Sequence, residues 1–158
     1  MASGDTEPVS FGPHVLREYA LVADGERGGL IGPHGELVWM CAPRWESGAV
    51  FSAVIGGSGV YAVTPADPRH VWGGSYEPGS LIWRNRWTTT DTVIECREAL
   101  AFPGDPDRVV VLRQLRAVRG DARVRIVFEP RAGFGRHGSH GLARDKDIWS
   151  GTSGRLHA

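Results

Sequence analysis

The sequence predicts an all-β protein, folded as an antiparallel β-sandwich with one short helix. The 22 Gly and 10 Pro among 158 residues fall at short intervals between apolar runs, which is typical of strands joined by turns. Several runs alternate apolar and polar residues, so one side of each strand faces a core and the other faces water. With 41% hydrophobic residues, the chain has enough apolar surface for a single core.

Composition and charge exclude several classes of function. Lys+Arg number 18 and Asp+Glu also 18, so the formal net charge is zero, unlike that of a dedicated nucleic-acid-binding domain. No run approaches the roughly 18 apolar residues of a membrane span, and the N-terminus lacks the features of a signal peptide. We therefore expect a cytoplasmic protein that binds neither nucleic acid nor membrane.

Motifs for catalysis, metals and cofactors are weak. Cys41 and Cys96 lie inside apolar stretches, which predicts free, buried thiols. His137 and His140 share one loop but have no further ligand at a suitable spacing, and the Gly-rich stretch 55–59 lacks the Gly-Lys-Ser/Thr ending of a phosphate loop. No Ser stands in a nucleophile elbow. We predict no catalytic residue, no metal and no cofactor in this chain.

The elements of the first half follow from local signals. Residues 1–14 are expected to be a flexible N-terminus and residues 15–158 the sandwich domain. Gly29–Ile31 and Leu37–Cys41 flank a Gly-Pro-His-Gly turn and predict a hairpin. Ser47 is a suitable N-cap for a short helix from residue 48 to 54. A further strand is expected from Val60 to Thr64.

The second half predicts two more hairpins. From Leu81 to Thr88, Trp83 and Trp87 alternate with arginines, and the run from Thr92 to Leu100 is a suitable partner across the intervening turn. Val109–Val118 and Arg123–Glu129 are rich in β-branched residues and predict a hairpin closed by Arg-Gly-Asp-Ala.

The C-terminal part predicts an incomplete sheet. After a loop from 131 to 147, Ile148-Trp149-Ser150 starts a strand whose partner begins at Leu156, yet the sequence stops at Ala158. An unpaired edge there invites pairing with another chain, so the domain is expected to be truncated and to be able to form homo-oligomers through an open sheet edge.

Tryptophan supplies the best candidate for binding. Trp39, Trp83 and Trp87 lie in alternating strands and are expected in the core. Trp45 instead stands between Arg44 and Glu46 in a polar connector, and loops held by a rigid sheet commonly carry binding groups. An aromatic ring beside an Arg suits a sugar, because the ring stacks on the pyranose and the guanidinium bonds its hydroxyls. The alternative is an Arg–Glu surface pair that covers a half-buried Trp.

The segment from Arg17 to Gly57 resembles the opening of bacterial glycoside hydrolase family 15 proteins, the glucoamylase-like and trehalase-like group. The matching positions are Tyr19, Ala20, Leu21, Asp24, Gly35, Trp39, Pro43, Arg44 and Ser47. Val38, Ala23 and Trp45-Glu46 depart from the usual pattern, in which Asp, Gly and Phe-Asp stand at these places.

The resemblance implies a non-catalytic, trehalase-like N-terminal domain with a supersandwich-like fold. Such a domain precedes an (α/α)6 barrel, whose two glutamates perform an inverting hydrolysis of α-glucosides such as trehalose or α-glucans. No position of this chain matches those glutamates, so the chain alone is expected to be inactive. Its implied partners are the catalytic barrel of the same parent chain and, through that barrel, the sugar.

Two other functions fit the residues. A free-standing carbohydrate-binding sandwich would use exposed Trp faces, and an assembly domain would dimerise through its open edge. If the chain is instead the N-terminal domain of a glycoside hydrolase, Arg44, Trp45 and Glu46 form a loop close to the substrate of the neighbouring barrel.

Overall fold

The computed structural model describes residues 11–158, so the flexible N-terminus expected for residues 1–14 lies outside the described residues as far as residue 10. These residues form thirteen strands and two short 3-10 helices, Leu16–Glu18 and Ala53–Ile55. The strands are β1 (Ala20–Ala23), β2 (Gly28–Ile31), β3 (Glu36–Cys41), β4 (Ala49–Phe51), β5 (Val60–Pro65), β6 (Val71–Tyr76), β7 (Trp83–Thr88), β8 (Val93–Leu100), β9 (Val111–Arg119), β10 (Val124–Glu129), β11 (Ser139–Asp145), β12 (Ile148–Ser153) and β13 (Leu156–His157).

Three antiparallel sheets make up the fold. The first sheet has the order β1-β2-β3-β5-β10, with β4 paired to β3, and the second has the order β6-β7-β8-β9. A small third sheet joins β11, β12 and β13. The predicted all-β, sandwich-like fold is therefore confirmed. No helix within residues 11–158 has the length and apolarity needed to cross a membrane.

The core lies between the first and second sheets. Trp83 and Leu100 of the second sheet pack against apolar side chains of the first. A second cluster joins Trp87, Ile94 and Cys96, with Val124 packed against it. The first-sheet members of the main cluster are Ala20, Val22, Ile31, Leu37, Met40, Val50 and Phe51.

Two predicted hairpins are confirmed. In the β2–β3 hairpin Leu30 faces Trp39, and in the β7–β8 hairpin Asn85 faces Cys96. Both are closed by short turns whose backbone groups are satisfied locally; for example, the Thr92 amide donates to Thr89 Oγ1 at 3.0 Å. The strand predicted from Val60 is β5, and the predicted C-terminal pair is present as β12 and β13.

The helix predicted from residue 48 to 54 is wrong. Residues Ala49–Phe51 form β4, which pairs with β3, and only Ala53–Ile55 makes a 3-10 turn. All three residues of β4 are buried, and the carbonyls of Ala49 and Val50 accept amides of the segment 131–134. Pairing on both sides of this short apolar run outweighs its local helical spacing.

The hairpin predicted between residues 109 and 129 is also wrong, although both strands exist. β9 pairs with β8 in the second sheet, whereas β10 pairs with β5 in the first. The turn at Gly120, which has a φ of 67°, carries the chain from one sheet to the other. Each strand thus extends a larger sheet, and a strand paired in a sheet of several strands is more stable than one in an isolated two-stranded hairpin.

The predicted loop from residue 131 to 147 contains a strand. β11 occupies Ser139–Asp145 and pairs with β12 around a turn at Lys146, which has a φ of 53°. The sequence does not predict this strand, because the stretch contains several Gly and His residues and lacks a run of β-branched ones. In the structure the pair is largely exposed, and the Ser153 hydroxyl ties it to the domain by accepting the Ala132 amide at 2.9 Å.

The second sheet is a single stretch of sequence between β5 and β10. These two strands pair with each other, and Val124 lies directly opposite Pro65. The Ala66 amide donates to the Arg123 carbonyl at 2.9 Å, just beyond the last pair of the ladder. Residues 66–123 therefore leave the first sheet and return to it at the same point.

Candidate functional site

The Arg44-Trp45-Glu46 segment lies in a tight turn between β3 and β4. The Arg44 amide donates to Ser47 Oγ at 3.2 Å, and the Ser47 amide donates to the Arg44 carbonyl at 3.1 Å. Ser47 thus closes a turn instead of capping a helix. A cis peptide joins Ala42 to Pro43 at its start. We call residues 43–47 the connector loop.

Trp45 lies against the first sheet with half of its surface in solvent. Its side chain is 49% exposed, while one edge of the indole covers the backbone of Gly28. A Cβ on Gly28 would overlap the six-membered ring of Trp45, and it would also touch Leu21. The absence of a side chain at Gly28 therefore lets the edge of the indole approach the backbone of β2.

Trp45 belongs to an exposed apolar patch on the outer face of the first sheet. The register places Leu21 opposite Leu30 and Leu30 opposite Trp39, so these three share the face that points away from the core. Phe134 extends the row, its ring 6.2 Å from that of Trp39. We call Leu21, Leu30, Trp39, Trp45 and Phe134 the outer-face patch.

The expected core position is confirmed for two of the three strand tryptophans. Trp87 is fully buried and Trp83 is 9% exposed, but Trp39 is half-buried and lies in the outer-face patch. The sequence does not separate these cases, because the buried residues around Trp39 on β3 form an almost continuous apolar run. Its partner Leu30, which is also only half-buried, shows which face it shares.

The charged members of the connector loop are open to solvent. Arg44 and Glu46 are both exposed, and within residues 11–158 neither forms an ion pair with the other. The surface pair considered as the alternative role is thus not formed. A guanidinium, an indole and a carboxylate stand side by side on one turn, which are the groups that bind and stack on a sugar.

A polar cluster inside the sandwich is not anticipated by the sequence analysis. Asn85 accepts hydrogen bonds from the indoles of Trp72 at 2.7 Å and Trp83 at 3.0 Å, and its Nδ2 donates to Glu98 Oε2 at 2.6 Å. Arg113 Nε lies 3.4 Å from Glu98 Oε1. The available signal is the alternation itself, since Asn85 and Glu98 occupy inward positions of β7 and β8.

Burial governs the charge of these carboxyl groups. It raises the pKa of Glu98 to about 7, against the opposing effects of Arg113 and the Asn85 hydrogen bond. Burial likewise raises the pKa of Glu36, whose Oε1 lies 2.9 Å from His14 Nε2. Both side chains are sealed from solvent, so they cannot touch a sugar, and they act on stability rather than on substrate.

Asp24, another acidic residue, has a structural role as well. Its Oδ1 accepts the amides of Glu26 and Arg27, both at 3.0 Å, in the turn between β1 and β2. Cys41 and Cys96 are free and buried, as predicted, and burial raises the pKa of the Cys96 thiol to about 12. Within residues 11–158 no three His, Cys, Asp or Glu side chains converge on a metal position.

A family model described as "Trehalase-like, N-terminal" matches residues 12–150, which include the connector loop, the outer-face patch and the interior polar cluster. The chain belongs to this family. The trehalase-like N-terminal domain is thus confirmed for nearly the whole described chain, as the resemblance implied.

Two curated trehalases are similar to this trehalase-like N-terminal domain. The trehalase of Mycobacterium tuberculosis is 29% identical over 162 aligned positions, which cover 88% of this chain and 23% of that protein. The trehalase of Mycolicibacterium smegmatis is 29% identical over 147 positions, covering 82% of this chain and 22% of that protein. The chain thus spans less than a quarter of these relatives. No solved structure matches it significantly.

Proposed function

We propose that this chain is the non-catalytic N-terminal β-sandwich of a cytoplasmic family 15 glycoside hydrolase that acts on α-glucosides, trehalose or short α-glucans. The domain supports an (α/α)6 catalytic barrel of the same parent chain and presents the connector loop at the rim of the sugar site. The match of residues 12–150 to the trehalase-like N-terminal family carries this proposal.

The geometry of the connector loop supports its placement at a rim. Trp45 is fixed against Gly28, so its exposed face is presented in one orientation, and the turn bonds of Ser47 hold Arg44 and Glu46 beside it. The adjacent outer-face patch gives an apolar surface on which a second domain can pack. A rigid loop next to a docking surface is a suitable support for a neighbouring active site.

The test is to change Arg44→Ala and Glu46→Ala in the full-length hydrolase and to measure its kinetics on trehalose and maltose. We expect kcat/KM to fall by about tenfold for each variant, about 1.4 kcal/mol, because each removes a polar contact to sugar. Thermal unfolding should not change, since both side chains are exposed. Arg84→Ala, an exposed change on the second sheet, is the matched control, and wild-type kinetics in both loop variants would contradict the proposal.

The exposed indole favours one second function, a free-standing carbohydrate-binding module. Trp45, which lies against β2, is 49% exposed, and Tyr76, whose hydroxyl bonds to Leu21 on the neighbouring strand β1, is 41% exposed. Titration of the isolated chain with maltooligosaccharides, followed by Trp fluorescence, separates the two functions. A saturable signal that is lost in Trp45→Phe would favour the binding module, and no response at millimolar sugar would reject it.

A further inference from the structure

The inner faces of β9 and β10 are partly uncovered, although they continue the core of the sandwich. Leu115 lies opposite the fully buried Cys96, so it points inward, yet it is 38% exposed. On β10, Ile126 and Phe128 alternate in phase with Val124, which packs on the second core cluster, and they are 63% and 43% exposed. We call Leu115, Ala117, Ile126 and Phe128 the edge cleft.

Both walls of the edge cleft end in free backbone. Within residues 11–158, β9 pairs only with β8 and β10 pairs only with β5. Each strand therefore has one edge whose amides and carbonyls are open to a further strand. The cleft thus offers a main-chain template on each side and apolar side chains between them, which is the arrangement that binds an extended segment.

A buried arginine lies at the base of the edge cleft. The Arg113 side chain is only 4% exposed, and its Nε and both terminal nitrogens have no hydrogen-bond partner among the described residues. Its guanidinium stacks 4.1 Å above the ring of Tyr61, which in turn packs 5.1 Å from Phe128. Glu98 compensates the charge of Arg113 at 3.4 Å, and the stack of Arg113 on Tyr61 forms the closed inner end of the cleft beside Phe128.

The charges around the edge cleft distinguish between possible occupants. From residue 113 to 131 the sequence carries six Arg against Asp121 and Glu129. A second copy would bring the same arginine-rich edges together, and like charges on facing strands repel each other. An extended segment with acidic residues pairs favourably with this border.

We propose that the edge cleft binds an extended segment from the remaining part of the parent hydrolase, with apolar side chains at alternate positions and acidic residues along the arginine-rich border. The segment adds a strand next to β9 or β10 and closes the sandwich. This inference rests on the proposed function, because the curated trehalases are more than four times as long as the part that this chain matches.

The test compares the reactivity of two neighbouring thiols. Leu115→Cys places a thiol in the edge cleft, and Arg116→Cys places one on the opposite, outward side of the same strand. The native Cys41 and Cys96 are buried and give a low background. Each variant is made in the 158-residue chain and in the complete product of its reading frame, and labelling by a charged maleimide is timed.

In the 158-residue chain both introduced thiols should react readily. In the complete product, labelling at position 115 should slow by about tenfold or more because an added strand covers it, while position 116 should stay reactive. Equal labelling at position 115 in both proteins, or a reading frame that ends at Ala158, would overturn the proposal. Protection of position 115 in the short chain that grows with protein concentration would also overturn it, in favour of a second copy.

This labelling result is independent of hydrolysis. Protection at position 115 together with wild-type kinetics of Arg44→Ala and Glu46→Ala would retain the edge cleft and reject the role of the connector loop. The opposite pair of results would retain the loop and reject the cleft. A second cleft variant, Ile126→Cys on β10 with Glu129→Cys as its exposed control, reports the same event from the other wall.

Discussion

At β1 the edge of the first sheet is covered by a side chain from the second sheet, whereas at β9 and β10 the edges of both sheets are bare. The Tyr76 hydroxyl accepts the Leu21 amide at 2.7 Å and donates to the Leu21 carbonyl at 2.9 Å, so it satisfies the free edge of β1. The three nitrogens of Arg113 at the other end are buried without such partners.

The two ends of the sandwich differ in whether the backbone groups at the sheet edge are satisfied within the domain. An edge whose polar groups are satisfied by the domain itself is a finished surface, and the core behind it is filled by large side chains such as Trp83. The edges at β9 and β10 instead leave inward apolar residues such as Leu115 and Ile126 exposed, and there we propose that another segment binds. We therefore expect substitutions at the β1 end to cost more stability than substitutions at the β9–β10 end.

The largest expected effect comes from removing packing at the closed end. Trp83→Ala deletes a ring that packs 4.9 Å from Tyr76 and donates to Asn85, and it should lower the free energy of unfolding by about 3–5 kcal/mol. Leu115→Ala in the edge cleft should cost only about 1 kcal/mol, because much of that side chain is already in water. Urea unfolding measures both, and equal losses would remove the distinction between the two ends.

The second effect is a dependence of stability on pH that arises from Glu98. Because its pKa rises from 4.5 to about 7 on folding, its contribution to stability is present below pH 4.5 and is lost as the pH rises through 7. The free energy of unfolding should therefore fall by about 2–3 kcal/mol between pH 5 and pH 8. Glu36, whose pKa is also raised by burial, adds to this slope in the same direction.

His34 acts in the opposite direction. Burial, with His14 and His70 nearby, lowers the pKa of His34 below 6.5 in the folded state. The unfolded state therefore binds a proton at His34 more readily, so the free energy of unfolding falls as the pH drops through 6.5. The double variant Glu98→Gln/Arg113→Met removes the buried pair together and should flatten the slope between pH 5 and pH 8. A slope that persists in full would assign the pH dependence to groups other than Glu98.

The smallest effect tests the covered edge. Tyr76→Phe removes both hydrogen bonds to Leu21 but keeps the ring against Trp83, and it should cost about 1–2 kcal/mol. Hydrogen exchange of the Leu21 amide should accelerate, while amides in the β7–β8 ladder should not change. If the Leu21 amide keeps its protection in this variant, the hydroxyl does not cover the edge.

How much of this could be predicted depended on the range of the interactions. The β2–β3 and β7–β8 hairpins were predictable, because a short turn and two alternating runs determine each pair. The partners of β9 and β10 were not predictable. β9 pairs with the preceding strand β8 across the loop from 101 to 110, whereas β10 pairs with β5, from which the whole second sheet separates it in the sequence. Residues 49–51 likewise form a strand only because β3 and the segment 131–134 lie on either side.

The candidate site divides in the same way. Trp45 was predictable as an exposed aromatic residue, because it stands between two charges in a polar connector. Its support by Gly28 was not, since it joins a turn to a strand that the sequence does not place together. In the sequence Arg113 is one more charge on an alternating strand, and only the structure shows that it is buried beside Glu98.

The chain leaves the first sheet after β5 and returns to it as β10, which pairs with β5. This pairing has a consequence for the order in which the domain folds. Because Pro65 and Val124 are paired, residues 66–123 are an insertion within a single hairpin, and the whole second sheet is that insertion. Pairing Pro65 with Val124 closes the long loop of residues 66–123. The entropic cost of closing this loop falls once the inserted sheet has folded. Folding of the insertion thus brings β10, the last strand of the first sheet, back to the five strands that precede the insertion.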